Sequence, residues 1–491
     1  MMMIKRYPPK ITSFPIHQAG TEEGDTNSDD TIIEPWTPQQ LKLSIPAMLT
    51  LLSDPLLSVV DTAYVTRLGT TALASLGSVT SIFHLAFNTF RATTLATTSL
   101  VGPYHANATE MGQQAVDNTD LQAVTRLSLQ FGSLFGFIVG LFLLLCGKQI
   151  LATMGIPQTS ELYPHAASYL HTRAWAAPAV AFTTVATGLF RGAGTTVMPL
   201  ISSLIASGLN LILDPLLMFG KVAWGIKGAA AATAYSQAAA AIVLAVALLR
   251  TRLVTLTKSV PLPIDKRRLV WTTIFKANAS MMAKQGSLLT AWAFCTAQAT
   301  RLGPAHVAAH QVALSVWLVV ALMLDSNAVG AQILASRYFR PRAHRQSATF
   351  FSLLRYQAKL AIGQGVGATV LIATILAPLV PATMGTDKMV QYHLQQLLPT
   401  LALQQILVSC TMVTEALAAA TQQFTFLAVG TVLATVLSIW QLQTPTSVTG
   451  LWNKGIVTLF LGRWVTASLA LWSALRVKKR ETTSNQAMDK T

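Results

Sequence analysis

Charge is what this sequence has least of. Of its 491 residues only 11% are Asp, Glu, Lys or Arg, against roughly 25% in an ordinary soluble domain. A chain this long cannot cover a water-facing surface with so few charges. The 52% hydrophobic content and a mean hydropathy of +0.49 point instead to an integral membrane protein. One crossing needs about 20 mostly apolar residues, and runs such as 131–146, 199–219, 229–249 and 363–381 meet that need. Cysteine is also scarce. Cys146, Cys295 and Cys410 all lie in apolar segments, with no spacing that suggests a metal site or a disulfide framework. No GxxxxGK[ST] loop is present, which removes an ATP-driven pump. No HExxH or GxSxG motif supports an enzyme. No cofactor is expected.

The net charge of +16 is uneven. Arg250, Arg252, Lys258, Lys266, Arg267, Arg268 and Lys276 form one cluster; Arg337, Arg340, Arg342 and Arg345 a second; Arg476, Lys478, Lys479 and Arg480 a third. These groups sit between or after apolar runs, which fits the positive-inside rule and argues against a nucleic-acid surface. Residues 1–38 hold the acidic run "TEEGDTNSDD" and read as a disordered tail without a signal-peptide core; the acids argue against a transit peptide. Twelve spans follow, near 40–67, 73–101, 122–147, 163–189, 196–219, 225–250, 272–300, 305–336, 350–377, 393–421, 424–444 and 450–476. An even number puts both termini on the face with the basic loops, cytoplasmic in a plasma membrane or stromal in a plastid membrane.

An internal repeat organises the spans. "VDTAYVTRLGTTALAS" from Val60 parallels "FCTAQATRLGPAHVAA" from Phe294, and "WGIKGAAAAT" from Trp224 parallels "LWNKGIVTLF" from Leu451. The expected fold is therefore all-α, with twelve transmembrane helices in two six-helix lobes related by a pseudo-two-fold axis along the membrane normal. The first lobe covers 39–250, a polar linker 251–270, the second lobe 271–476, and a basic tail 477–491. Duplicated halves of this kind usually rock about a midplane cavity, which points to a secondary transporter.

The informative residues are acids in hydrocarbon. A charge at bilayer depth costs about 2.5–3.5 kcal/mol on insertion scales, so Asp61 in "VDTAYV" and Asp214 in "LNLILDP" are expected to face protein or water. Asn210 lies one helical turn before Asp214, and Pro215 leaves the carbonyl of Leu211 without its helical donor. With Thr233 of the next span, these groups would form an H⁺ or Na⁺ coupling site. Asp54 lies two turns before Asp61 on the same face. Arg91, Gln311, Asp325 and Glu415 complete the candidates for a substrate cavity. The two acids of the second half, Asp325 and Glu415, are expected either to bind a cationic group or to pair with a buried Arg or His such as His310. Arg191 in "FRGAG" is expected at a helix end near the lipid phosphates.

"VDTAYVTRLGTTALASLG", "FRATTLATTSLVG", "LFRGAGTTVMPL", "LNLILDPLLMFG", "WGIKGAAAATAYSQ" and "AAHQVALSVWL" together resemble the multidrug and toxic compound extrusion (MATE) transporters, with the DinF-like branch nearest. The resemblance covers about residues 40–476. It implies two six-helix lobes in a V and antiport of organic cations, drugs or metabolites against H⁺ or Na⁺. It also implies that a monomer suffices, and that Asp61, Asn210, Asp214 and Thr233 form the ion site of the first lobe. The sequence departs from the family pattern in lacking an acid in span 7, in Glu415 for a common Asp, in Asp54 for a common Glu, and in Thr66 for a common Gly. A lipid-linked-oligosaccharide flippase of related architecture is the alternative; it would need a cavity rich in Arg and Lys, where Arg91 is the one strong candidate.

Overall fold

A computed structural model describes residues 36–110, 118–220, 223–255, 263–339, 348–379, 388–443 and 447–476. Most of the expected N-terminal tail, Arg340 to Arg345 of the second basic cluster, and the 477–491 tail lie outside these residues. The first half contains α1 (Trp36–Thr66), α2 (Thr70–Glu110), α3 (Thr119–Leu145), α4 (Gly147–Thr153), α5 (Tyr163–Ala174), α6 (Ala177–Gly192), α7 (Val197–Phe219) and α8 (Ile226–Arg250). The second contains α9 (Ile264–Leu302), α10 (Pro304–Tyr338), α11 (Ala348–Leu371), α12 (Lys388–Ala420), α13 (Phe424–Gln441), α14 (Val448–Leu451) and α15 (Val457–Arg476). A π-helical turn, Ile372–Leu376, extends α11, and another, Trp452–Ile456, joins α14 to α15. No strand occurs among the described residues. Among the described residues nine helical stretches are long and apolar enough to cross a membrane; α2, α9 and the α5–α6 pair complete twelve crossings in two lobes.

Two boundaries move for physical reasons. The polar tail ends before Trp36, not at residue 38, because Trp36 starts α1: it is buried, stands edge-on to Tyr338 with centroids 5.3 Å apart, and donates to Ser352 Oγ at 3.2 Å. The linker ends before Ile264, because α9 carries its helix out of the apolar zone through Lys266, Arg267 and Arg268. Span 4 is broken into α5 and α6 where Pro178 follows the Trp175–Ala176 junction; a proline ring clashes with the carbonyl one turn earlier and removes a helical donor.

α1 belongs to two hydrophobic cores. Its first half, with Trp36, Leu43 and Ala47, packs into a second-lobe cluster that includes Val329, Phe339, Phe350 and Leu417. Its far end, at Val65, joins a first-lobe cluster with Phe83, Tyr169, Met218 and Ile226. Pro55 lies between the two, and Pro46 falls within the first.

Hydrogen bonds joining the lobes gather on the face that bears the termini. Gln40 Nε2 donates to Asn327 O at 2.9 Å and to Asn327 Oδ1, and Gln357 Nε2 donates to Gln40 Oε1 at 2.8 Å. Gln332 Nε2 donates to Ser99 Oγ at 2.8 Å and to Leu95 O at 2.9 Å. Gln40, Asn327 and Gln357 are buried to 2% exposure or less, so each broken bond leaves a dry amide unsatisfied. Gly330 makes room for this clasp, because a Cβ there would lie 2.8 Å from Ser44 Oγ. Gly330→Val is therefore expected to loosen the seal. In a background without the native cysteines, a Ser336→Cys reporter, at a fully buried position, should react several-fold faster with a membrane-impermeant maleimide when Gly330 is replaced; equal rates would refute the clasp.

Candidate functional site

The site is built where α1, α7 and α8 meet. Asn210 and Asp214 lie one turn apart on α7, and both have 0% exposure. α8 comes close to α7 because Gly228 has no side chain: a Cβ there would lie 2.9 Å from Met218 N. That approach brings Thr233, buried at 6% exposure, opposite Asn210. α1 contributes Asp61, half-buried. The four residues picked out along the sequence are thus neighbours, although they come from three helices.

Hydrogen-bond complementarity orients the Asn210 amide. Its nitrogen donates to Asp61 Oδ1 at 2.9 Å and to Asp214 Oδ2 at 3.2 Å, while its oxygen accepts from Thr233 N at 3.3 Å. One amide bridges both acids. The shared amide holds the carboxyls of Asp61 and Asp214 beside each other, within electrostatic reach. No donor reaches the buried Asp214 Oδ1. The Thr233 hydroxyl gives its hydrogen to Ala229 O at 3.0 Å.

One neighbour was not singled out along the sequence. Arg173 on α5 stands over Phe83, with its guanidinium carbon 4.9 Å from the ring centroid, and donates to Tyr169 OH at 2.9 Å. It lies within electrostatic reach of Asp61. A lone Arg near a helix end reads as a snorkelling cation; nothing in its spacing announces the aromatic cradle that holds it inward. Asp54 is exposed on α1.

The second half is arranged differently. Glu415 on α12 takes the ion-pairing role, with partners other than His310. Arg463 Nε donates to its Oε1 at 2.9 Å and Arg463 Nη2 to its Oε2 at 2.8 Å, while Lys284 Nζ lies 2.9 Å from Oε2. Lys284 belongs to α9, the span in which no acid was found; a cation stands there instead. Two cations on one carboxylate leave a net positive charge in the lobe and commit Glu415. His310 is fully buried and meets neither acid: it accepts from Trp452 Nε1 at Nδ1, 3.1 Å away, and its Nε2 lies 3.1 Å from Thr296 Oγ1. Arg191 is also not at the lipid phosphates. It is buried at 9% exposure, because the end of α6 packs on α2, and it lies within electrostatic reach of Asp325 and Arg91. Asp325 is half-buried, and Arg91 and Gln311 are exposed; none of the three joins the Asp61–Asp214 cluster.

A family model described as MatE matches residues 46–216, which include Asp61, Asn210 and Asp214. Protein DETOXIFICATION 44, chloroplastic, of Arabidopsis thaliana is 31% identical over 336 residues, covering 68% of this chain and 62% of its own length. The chain thus spans less than two thirds of that relative. Protein DETOXIFICATION 43 of the same plant is 28% identical over 377 residues, covering 66% of this chain and 70% of its own length. The Vibrio cholerae MATE transporter VcmN in its bent form superposes with a TM-score of 0.77 at 20% identity, over 90% of this chain and 97% of that one, which is a likeness of fold. Sequence over residues 46–216 and architecture agree, and this multi-pass membrane protein is similar to the multidrug and toxic compound extrusion family.

Proposed function

We propose that this protein is a proton-coupled antiporter that exports small amphiphilic or cationic organic molecules by alternating access. The observation that carries the reading is the Asp61–Asn210–Asp214 cluster, in which one amide nitrogen of the buried Asn210 bridges the carboxyls of the half-buried Asp61 and the buried Asp214. Proton arrival from the face opposite the termini neutralises the pair. Proton loss to the other face leaves two carboxylates close together, held by Asn210 and opposed by Arg173. The two charge states favour different arrangements of α1, α7 and α8. A driving ion moves such an equilibrium only by its difference in affinity for the two arrangements, and a dry acid pair supplies that difference. A closed clasp around Gln40 on the face of the termini belongs, in this reading, to the state that releases substrate and loads protons on the opposite face. Because Glu415 is committed to Arg463 and Lys284, a cationic substrate group falls to the exposed Asp54 or the half-buried Asp325.

The test separates the ions. In proteoliposomes, an imposed pH gradient at zero Na⁺ is expected to drive accumulation of a fluorescent organic cation. A Na⁺ gradient at equal pH on both sides is expected to leave uptake at background. Accumulation driven by Na⁺ alone would overturn the proton assignment.

A further inference from the structure

Behind the proton site, α5 and α8 enclose a groove of about 600 Å³, lined by Ser168, His171, Thr172, Trp175, Lys227 and Tyr235 over an alanine floor. That size falls within the range of ligand pockets. A helix turns about 100° per residue. Tyr235, two residues after Thr233, therefore looks roughly the opposite way from the Asn210 contact, into the surroundings of the lobe. Trp175 and Tyr235 are 75% and 56% exposed. In a membrane protein, this surface meets lipid.

The groove has a polar rim and an apolar depth. Lys227 is the second residue of α8 and stands over the Trp224 ring, 5.7 Å from its centroid; a Trp–Lys pair at a helix start marks the membrane–water boundary. His171 lies across the groove on α5, where a Cβ on Gly147 at the start of α4 would lie 3.8 Å from its Nε2. Tyr235 lies about 12 Å deeper along α8 than Lys227. No acid lines the groove. Cationic and hydroxyl groups at headgroup level, above aromatic walls and a floor of Ala167, Ala231 and Ala234, match an anionic amphiphile.

We infer that this groove holds one anionic phospholipid from the leaflet opposite the termini, with its phosphate at Lys227 and His171 and one acyl chain between Trp175 and Tyr235. The repeated "KG" dipeptide at Lys227–Gly228 then serves two ends of one helix: Gly228 sets the spacing to α7, and Lys227 anchors the lipid.

Native mass spectrometry of the full chain, delipidated and offered phosphatidylglycerol or phosphatidylcholine of equal acyl composition, tests this. Wild type is expected to retain one phosphatidylglycerol in preference to phosphatidylcholine by about tenfold. Lys227→Gln with His171→Gln should erase the preference without erasing binding. Ala234→Phe fills the groove and keeps Lys227 and His171, and it should lose the bound lipid. Equal retention of the two lipids by wild type would overturn the assignment. So would full retention by the Ala234→Phe protein, or displacement of the lipid by millimolar inorganic phosphate, which would make the rim a free-anion site.

Discussion

Asp61→Asn and Asp214→Asn are each expected to reduce efflux driven by a pH gradient to the background of protein-free liposomes. The amide keeps the shape of the carboxyl and most of its hydrogen bonds, so the meeting of α1, α7 and α8 survives. What it loses is the negative state, and with it the proton cycle. Each variant should behave as a permanently neutral site. Its substrate affinity at alkaline pH should match that of wild type at acid pH, and gradient-free exchange of labelled for unlabelled substrate should continue. Asp214→Ala differs: it leaves one N–H of the buried Asn210 amide without its acceptor, adding a desolvation cost of about 1–3 kcal/mol. Comparing pH-driven uptake with exchange in the two Asn variants checks the argument. Wild-type pH-driven uptake in both would remove these acids from coupling.

Glu415→Gln is expected to have the largest effect on stability. It leaves Arg463 and Lys284 beside each other in a dry lobe, without the carboxylate that accepts from Arg463 and offsets one of the two positive charges. Breaking a buried ion pair by removing one partner costs about 3–5 kcal/mol, a large share of a typical folding free energy. Detergent-solubilised protein should melt at a markedly lower temperature, or fail to accumulate. Lys284→Met is the contrasting variant: it leaves a neutral, bidentate Arg463–Glu415 pair and should be tolerated far better. A Glu415→Gln protein that melts with wild type would mean that water reaches the cluster and screens it. The Arg463 guanidinium also lies 4.6 Å from the Phe460 ring centroid, which favours Arg over Lys at that position.

The twelve crossings were legible because hydrocarbon length is a composition signal. Their ends were less so, because a helix continues past the membrane wherever charged residues tolerate it, as in α9 from Ile264 and α2 to Glu110. The break in span 4 and the two π-helical turns leave hydropathy unchanged and stayed invisible. The acid cluster was legible for the opposite reason: acids in apolar runs are costly enough to announce themselves, and Asn210 follows from helical spacing. Glu415 was visible as an acid, but its partner was not. Arg463 lies 48 residues away, and no periodicity links α12 to α15. The clasp was the least visible feature. Gln40, Asn327 and Gln357 are uncharged amides from three helices, with 317 residues between the first and the last. Only the fold places them side by side.

The divided loyalty of α1 reaches back to synthesis. A membrane protein emerges amino end first, so Trp36, Gln40 and Leu43 enter the bilayer long before the Phe350 and Gln357 they will touch. Until then the opening turns of the chain rest against lipid with an amide unanswered. The leading half is therefore not a finished product waiting for a twin. Its first helix is a docking peg for the trailing half, and the two become a single cooperative object only when α11 arrives.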